Sequence, residues 1–527
     1  MFKILVADKL GQAGIERLEA APDAQFDVKL KLSKEALIGV IGEYDALIVR
    51  SDTQADAEVI AAGTHLKVIG RAGMGVDNID VPAATARGIT VMNTPAANSV
   101  ATAELALGLM LAASRHIAHA HASVARGEWE RSKFVGQQLY KKTLGVIGFG
   151  RIGRLVAERA KAFGMEVIAY DPYVSEEVGR ELGVALVDLD DLLPQADYIT
   201  LHTASTPETT NLLNADAFSQ MKDGVIIVNA ARGKLIDEEA LVAALNSGKI
   251  KCAAVDVYRN EPPAGSPLIN HPKVVHVPHL GASTVEAQRD VATQIVDQVL
   301  DALRGVDYRN AVNLPFRPGP DFPVSRPYLD LAEKLGRLQV LLADGPIRRL
   351  EIELAGDVLT DLVRPIAAAL LKGVLTPQLG EGVNYINAPV LAHQQGLDIA
   401  QTKGLSSADY PNLISCHAYW DGGDRLLSGV IFGGSEPRIV QFDDYALEAK
   451  PAGVVLYLRN RDIPGVIGQV GTILAAYTVN IAEWRMGRSH PGGEALCFIN
   501  LDSTPPTAVL DALARIPAIL DVRLFNL

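Results

Sequence analysis

Short apolar runs separated by amphipathic stretches set the rhythm of the chain. Ile4-Leu5-Val6, Phe26-Asp27-Val28-Lys29-Leu30, Ala46-Leu47-Ile48-Val49 and Val68-Ile69 have strand length and strand composition, and the residues between them keep apolar positions at helical spacing. This alternation predicts a parallel α/β sheet, because parallel strands need helical crossovers and expose neither face. Past Thr94-Pro95 the pattern predicts one long helix over about 101–126, then a second and stronger α/β series over 144–277. At Ser283-Thr284-Val285-Glu286 a capping-box pattern opens another helix, with Val291, Ile295, Val299 and Leu303 on one face. That helix is expected to return to the first series, making the second an insertion within it.

Pro315, Pro318, Pro320 and Pro323 then fall within eleven residues, which no helix tolerates, and residues 313–323 read as a linker. Over 327–449, helices expected at 328–342 and 358–372 alternate with strand-like runs at 350–354 and 428–432, giving a third α/β unit. The remainder, from Val454-Val455-Leu456-Tyr457-Leu458 onward, has room for a small βαββαβ unit.

Composition narrows the class. A chain of 527 residues needs several cores, and 48% apolar with 21% charged residues is a folded rather than a disordered balance. The net charge of −13 supplies no basic field, so neither nucleic acid nor an anionic membrane surface is an expected partner. Cys252, Cys416 and Cys497 are odd in number and widely spaced, which fits buried thiols in a reducing, cytoplasmic setting better than disulfides. No run of 18 apolar residues is present, so no membrane span is expected.

Candidate chemistry begins at Gly148-Phe149-Gly150-Arg151-Ile152-Gly153, which follows the strand-like Leu144-Gly145-Val146-Ile147 and opens a helix. A second strand, Glu166-Val167-Ile168-Ala169-Tyr170, delivers Asp171 eighteen residues after Gly153. Together these form the dinucleotide fingerprint: glycines let backbone approach a pyrophosphate, and the acid accepts from both adenosine ribose hydroxyls. A carboxylate there repels a 2′-phosphate, so NAD is favoured over NADP. Arg232, in Asn229-Ala230-Ala231-Arg232-Gly233, falls at a strand's carboxyl end, where a guanidinium suits a substrate carboxylate. Read alone, it is also open, though less so, to a surface ion pair. His279, in Val277-Pro278-His279-Leu280-Gly281, falls just before a predicted helix start; a His with a carboxylate partner exchanges a proton near neutral pH because the carboxylate stabilises and orients an imidazolium, but read alone His279 is at least as open to a packed or exposed histidine. His116, His119 and His121 crowd the predicted long helix, but no Cys, Asp or Glu on the same face completes a site, and no metal is expected.

These residues, in this order, resemble the D-isomer-specific 2-hydroxyacid dehydrogenase family. The match also rests on Arg71-Ala72-Gly73-Met74-Gly75-Val76-Asp77-Asn78-Ile79-Asp80, Asn93-Thr94-Pro95, the stretch 256–263 and the stretch 278–284, and is dense over about 1–310. The tail, with Asn460-Arg461-Asp462-Ile463-Pro464-Gly465 and Val479-Asn480-Ile481, resembles an ACT domain. By that resemblance the expected division is a flavodoxin-like substrate-binding domain (1–97 and 285–312), an inserted Rossmann-like NAD-binding domain (98–284), an intervening domain (325–449) and an ACT regulatory domain (453–527). The resemblance implies NAD-dependent oxidation of 3-phospho-D-glycerate to 3-phosphohydroxypyruvate, the first step of L-serine biosynthesis. It assigns Arg232, Glu261 and His279 to catalysis, with His279 as general base. Thr203, Ala230, Asp256 and Gly281 would join Gly148, Gly150, Arg151, Ile152, Gly153, Asp171, Arg232 and His279 around the cofactor. Arg50, Arg71, Asn98, Arg232 and His279 would surround the substrate, with Arg131 reaching its phosphate from a second subunit of a homo-oligomer, a dimer at least and in expectation a tetramer. Met74 departs from the small polar residue common in the family, which removes a hydrogen bond expected to the cofactor. In the tail, Asn460, Asp462 and Asn480 are candidate binders of an L-serine effector across two tails. Two other readings remain open, a dehydrogenase for another 2-hydroxy acid such as glyoxylate or hydroxypyruvate, and a non-enzymatic NAD-sensing corepressor.

Overall fold

The computed structural model describes residues 1–316, 322–405 and 410–527. The predicted linker at 313–323 therefore falls partly outside the described residues. Four sheets organise the described residues. The first is all parallel and takes the order β2-β1-β3-β4-β5, from β1 (Phe2–Val6), β2 (Ala24–Val28), β3 (Ala46–Val49), β4 (Val68–Arg71) and β5 (Thr90–Met92). This is the flavodoxin-like order. The helix Val285–Leu303 returns to it as the sequence predicts, with Val291, Ile295 and Val299 buried against Ile4, Val6 and Val68. Its first turn is capped by Thr284 Oγ1, which accepts from the Ala287 amide at 3.1 Å.

The second sheet is also parallel. It comprises β6 (Thr143–Ile147), β7 (Glu166–Tyr170), β8 (Ala185–Leu186), β9 (Tyr198–Leu201), β10 (Val225–Asn229), β11 (Ile250–Val255) and β12 (Val274–His276), in the order β12-β11-β10-β9-β6-β7-β8. Its strands read as continuous apolar runs because both faces are covered. Val146, Val228 and Ala254 enter one core while Ile147, Ile227 and Val255 enter the other, the two-residue period of a strand made visible. The long helix expected over 101–126 is instead two, Ser99–Arg115 and Ile117–Ala125, set 65° apart. His116 sits between them at φ 53, a left-handed conformation that ends the hydrogen-bond ladder. Among the described residues no single helix is long and apolar enough to cross a membrane.

The third sheet corrects the expected alternation. It takes the order β14-β13-β15-β16-β17-β18, from β13 (Ile347–Ala355), β14 (Asp398–Leu405), β15 (Leu413–Trp420), β16 (Gly423–Phe432), β17 (Glu436–Phe442) and β18 (Tyr445–Ala449), and only β13 and β14 run parallel. Its helices gather over one face: Phe322–Leu342, which begins before the predicted start and carries Pro327 inside it, and Val363–Leu379, which begins after a 3₁₀ turn over Asp357–Leu362. Leu331, Leu335 and Leu338 meet Leu350, Ile352 and Leu354 there. The fourth sheet is antiparallel, β20-β21-β19-β22, from β19 (Val454–Arg461), β20 (Ile481–Arg488), β21 (Glu494–Leu501) and β22 (Ile519–Asn526), with helices Val466–Ala476 and Thr507–Ala514 in βαββαβ order. One face of it, with Leu456, Leu458 and Ile499, lies under those helices, and the other, with Val455, Tyr457, Phe498 and Phe525, joins the core of the third sheet.

Candidate active site

The glycine loop lies where the second sheet reverses its strand order, since β6 pairs with β7 on one side and β9 on the other. Open α/β sheets bind ligands outside the strand ends at such a point. The three glycines do different work. A Cβ on Gly148, whose φ is 93, would come within 2.6 Å of the His202 backbone, so this residue admits the neighbouring strand end. A Cβ on Gly153 would lie 2.1 Å from the Gly148 carbonyl, so that glycine lets the helix Arg151–Ala162 press on the strand. At Gly150 a Cβ would meet nothing within 4 Å, which leaves open space beside the helix N-terminus opened by Arg151 and Ile152. Asp171 immediately follows β7, and its carboxylate oxygens accept from the amides of Phe149 (2.9 Å) and Tyr173 (3.0 Å). The acid is thereby pinned against the glycine loop. Open backbone at Gly150, a helix N-terminus and a fixed carboxylate fit a dinucleotide with free ribose hydroxyls, which is NAD.

A cleft of about 1050 Å³ continues from there between the first and second sheets. Ile152, Thr203, Ala230, Arg232, Asp256, His279 and Gly281 line it from the second unit, Arg50, Arg71 and Met74 line it from the first, and Asn98 lines it at the boundary between the two in the chain. Gly148, Gly150, Arg151, Gly153 and Asp171 form the separate edge described above, beyond its lining.

His279 stands in the loop after β12 at φ 53, its backbone amide donating to the Asp256 carbonyl at 2.9 Å. The buried Asp256 fastens the same loop from below, its oxygens accepting the amides of Leu280 (2.5 Å) and Gly281 (2.9 Å). Burial pushes the Asp256 carboxyl up, against the pull of those amides. Glu261 Oε2 lies 2.7 Å from His279 Nδ1, and Glu261 Oε1 accepts from the Tyr258 amide at 3.1 Å. Burial pushes the Glu261 carboxyl up, but the hydrogen bond and charge of His279 outweigh it and hold the group below its ordinary value. With Nδ1–H donated to Glu261, Nε2 carries the lone pair that can take a proton.

Opposite stand three guanidinium groups. Arg232 Nε meets Asp77 Oδ2 at 3.0 Å and its Nη1 donates to the Ala231 carbonyl at 2.7 Å. Gly75 makes room for it, since a Cβ there would lie 1.9 Å from Arg232 Nη2. Arg50 hangs from a backbone amide that donates to the buried Asp8 at 2.6 Å. Arg71 has a buried Nε with no hydrogen-bond partner among the described residues. Burial lowers the Arg71 guanidinium to about 10, and the charges of Arg232 and Arg50 push the same way. The Oδ1 of Asn98 is likewise buried and unpartnered. The unmet Arg71 donor beside two repelling cations makes a receptor for a multiply charged anion.

Other predicted residues lie elsewhere. Arg131 opens an exposed 3₁₀ turn outside its own chain's cleft. In the tail, Asn460 is buried, its amide donating to the Arg461 carbonyl, while Asp462 is at the far end of β19 beside Arg488 and Gly492. Asn480 bonds Asp502 at 2.6 Å at the near end, where Val454 pairs with Leu501. An eight-residue strand separates the two ends by about 25 Å, so one tail does not bring the three together. Sequence reasoning missed Asp77 as the partner of Arg232, though it lies inside the glycine-rich stretch quoted for the family. It also missed Thr102, whose hydroxyl reaches the Gly281 carbonyl at 3.0 Å.

Comparison with known proteins agrees with this geometry. The NAD-binding domain of the D-isomer-specific 2-hydroxyacid dehydrogenases matches residues 107–281. Fold and site thus define an NAD-dependent dehydrogenase of that class. The intervening domain of D-3-phosphoglycerate dehydrogenase matches residues 324–443, and the ACT domain matches 454–518. A D-3-phosphoglycerate dehydrogenase from Synechocystis is 44% identical over 99% of this chain and 94% of its own. The chain belongs to the D-3-phosphoglycerate dehydrogenase family. Among solved structures, a glyoxylate reductase from Paecilomyes thermophila (34% identity, TM-score 0.55) covers 59% of this chain and 98% of that one. A D-lactate dehydrogenase from Aquifex aeolicus, complexed with NAD and lactic acid (27% identity, TM-score 0.52), covers 57% and 96%.

Proposed function

We propose that this protein oxidises 3-phospho-D-glycerate to 3-phosphohydroxypyruvate with NAD, the first step of L-serine biosynthesis. The observation that carries the reading is the convergence of Arg50, Arg71 and Arg232 on one cleft with the His279–Glu261 pair. A substrate with a carboxylate and a phosphate matches three cations; a neutral side chain leaves Arg71 buried and unpaired. Arg232 holds the carboxylate and the hydroxyl oxygen, and Asn98 lines the same cleft beside the substrate. His279 Nε2 takes the hydroxyl proton as the C2 hydrogen leaves with its electron pair and the carbonyl forms. Glu261 stabilises the resulting imidazolium. When bound, NAD supplies the hydride acceptor, and Gly148, Gly150, Gly153, Asp171, Thr203, Ala230 and Gly281 hold it. NADH formation, followed by absorbance, tests the reading. Phosphoglycerate should be turned over far more efficiently than unphosphorylated D-glycerate, and equal efficiency would refute the phosphate assignment.

Further parts of the proposal rest on the same arrangement. The chain divides into a substrate-binding domain (1–97 and 285–312), an NAD-binding domain (98–284), an intervening domain (325–449) and an ACT domain (453–527), supported by one sheet in each. The enzyme works as a cytoplasmic homo-oligomer in which Arg131 serves a neighbouring cleft, supported by its exposure away from its own. L-Serine is the effector, bound between two tails by Asn460, Asp462 and Asn480.

A further inference from the structure

Glu261 is carried on the long loop between β11 and β12, and a loop of that length does not hold a carboxylate in place by itself. Glu238, the first residue of the helix Glu238–Ser247, lies behind that loop and is only 8% exposed. Its Oε1 accepts the Arg259 amide at 2.9 Å, and its Oε2 accepts the Ser266 hydroxyl at 2.7 Å. No Lys or Arg lies within ion-pair distance of it among the described residues. The two ties fall on either side of Glu261, seven residues apart. The same backbone is braced from the Arg232 side, because a Cβ on Gly233 would come within 1.9 Å of the Tyr258 carbonyl carbon and 2.5 Å of the Arg259 nitrogen. A buried acid with both oxygens spent on loop donors, and no cation to pair with, is an anchor.

We infer that Glu238 is a positioning residue for the proton transfer that accompanies oxidation, which by fastening Arg259 and Ser266 fixes the place where Glu261 meets His279 Nδ1. The inference rests on the reading of Glu261 and His279 as the proton-transfer pair. Glu238 touches no reacting atom. The charged and titratable groups facing that pair are Asp256 from the end of β11, Arg232 from the end of β10 and Tyr258 from the loop itself. Glu238 contacts neither member, so its effect passes through the loop.

The test compares pH profiles of kcat/KM for NAD-linked oxidation in E238Q, S266A, E261Q and the double variant E238Q/E261Q, with NAD affinity measured separately by quenching of protein fluorescence. A carboxamide has one accepting oxygen, so E238Q sets an NH2 against one of the two loop donors. S266A removes one tie and leaves the charge. Both variants should move the acidic limb toward lower pH, part of the way to E261Q, and E238Q should lower kcat about tenfold, a modest misplacement by the standard of catalytic geometry. NAD affinity should stay within about twofold, and the double variant should share the limb of E261Q. If E261Q moves the limb while E238Q and S266A leave it at the wild-type position, Glu238 merely supports the fold and the inference is overturned. If E261Q itself leaves the limb unmoved, the proton-transfer reading fails and this inference falls with it. Should E238Q fail to fold, S266A decides alone.

Discussion

Replacing Arg71 with methionine separates two costs that the free enzyme carries together. The guanidinium is partly buried, its Nε fully, beside Arg232 and Arg50, and its fall to about 10 corresponds to about 3 kcal/mol of unfavourable charge at neutral pH. The sign follows from the direction: for a base lowered on folding, the penalty is present below the folded value and is relieved as pH rises above it. Methionine keeps the length and apolar stem but removes the charge, and among the described residues the buried Arg71 Nε has no hydrogen-bond partner that would be lost with it. The unliganded variant should therefore melt a few degrees above wild type at neutral pH, with the difference shrinking above pH 10. Phosphoglycerate, which supplies the missing anion, should raise the melting temperature of the wild type much more than that of the variant. Loss of a charge-assisted hydrogen bond is worth about 1.5–3 kcal/mol, so KM for phosphoglycerate should rise about 10- to 100-fold, and that for D-glycerate much less. Thermal-shift titrations and NADH-forming kinetics on the two proteins read both effects. An unliganded variant less stable than wild type, or one with the wild-type ligand shift, would refute the reasoning.

Asp171→Ala should shrink the preference for NAD over NADP in steady-state kinetics; equal use of both cofactors by the wild type would remove Asp171 from that role. Oxidation needs neutral His279, and Glu261 favours the charged ring, so in Glu261→Gln the acidic limb of kcat/KM should move to lower pH while kcat falls. Arg131→Ala should raise KM for phosphoglycerate selectively, and mixing it with a Glu261→Gln partner should restore part of the activity if the arginine crosses between subunits. L-Serine should inhibit the wild type and not Asn480→Ala; calorimetry detecting no serine binding to the wild type would sink the regulatory claim.

Local periodicity determined much of this protein. Strand, glycine spacing, helix and Asp171 all fall within about thirty residues of one another, so the cofactor loop was legible in the sequence. The parallel sheets were legible because strands buried on both faces must be apolar throughout. The return of the helix Val285–Leu303 to the first sheet was legible in its single apolar face. The third sheet was not, because only two of its six strands stood out as apolar runs, and which segments pair, and in which direction, is set by tertiary contacts. The break at His116 was hidden as well, since a left-handed non-glycine residue is imposed by surrounding packing rather than by propensity. The site itself needed the tertiary structure. Asp77 meets Arg232 across 155 positions, and Glu238 reaches the Glu261 loop from another element. Arg71 becomes an unpaired cation only once distant chain closes over it. Sequence reports which faces are buried; which charges then meet, and at what cost, is decided when segments far apart in the chain exclude water together.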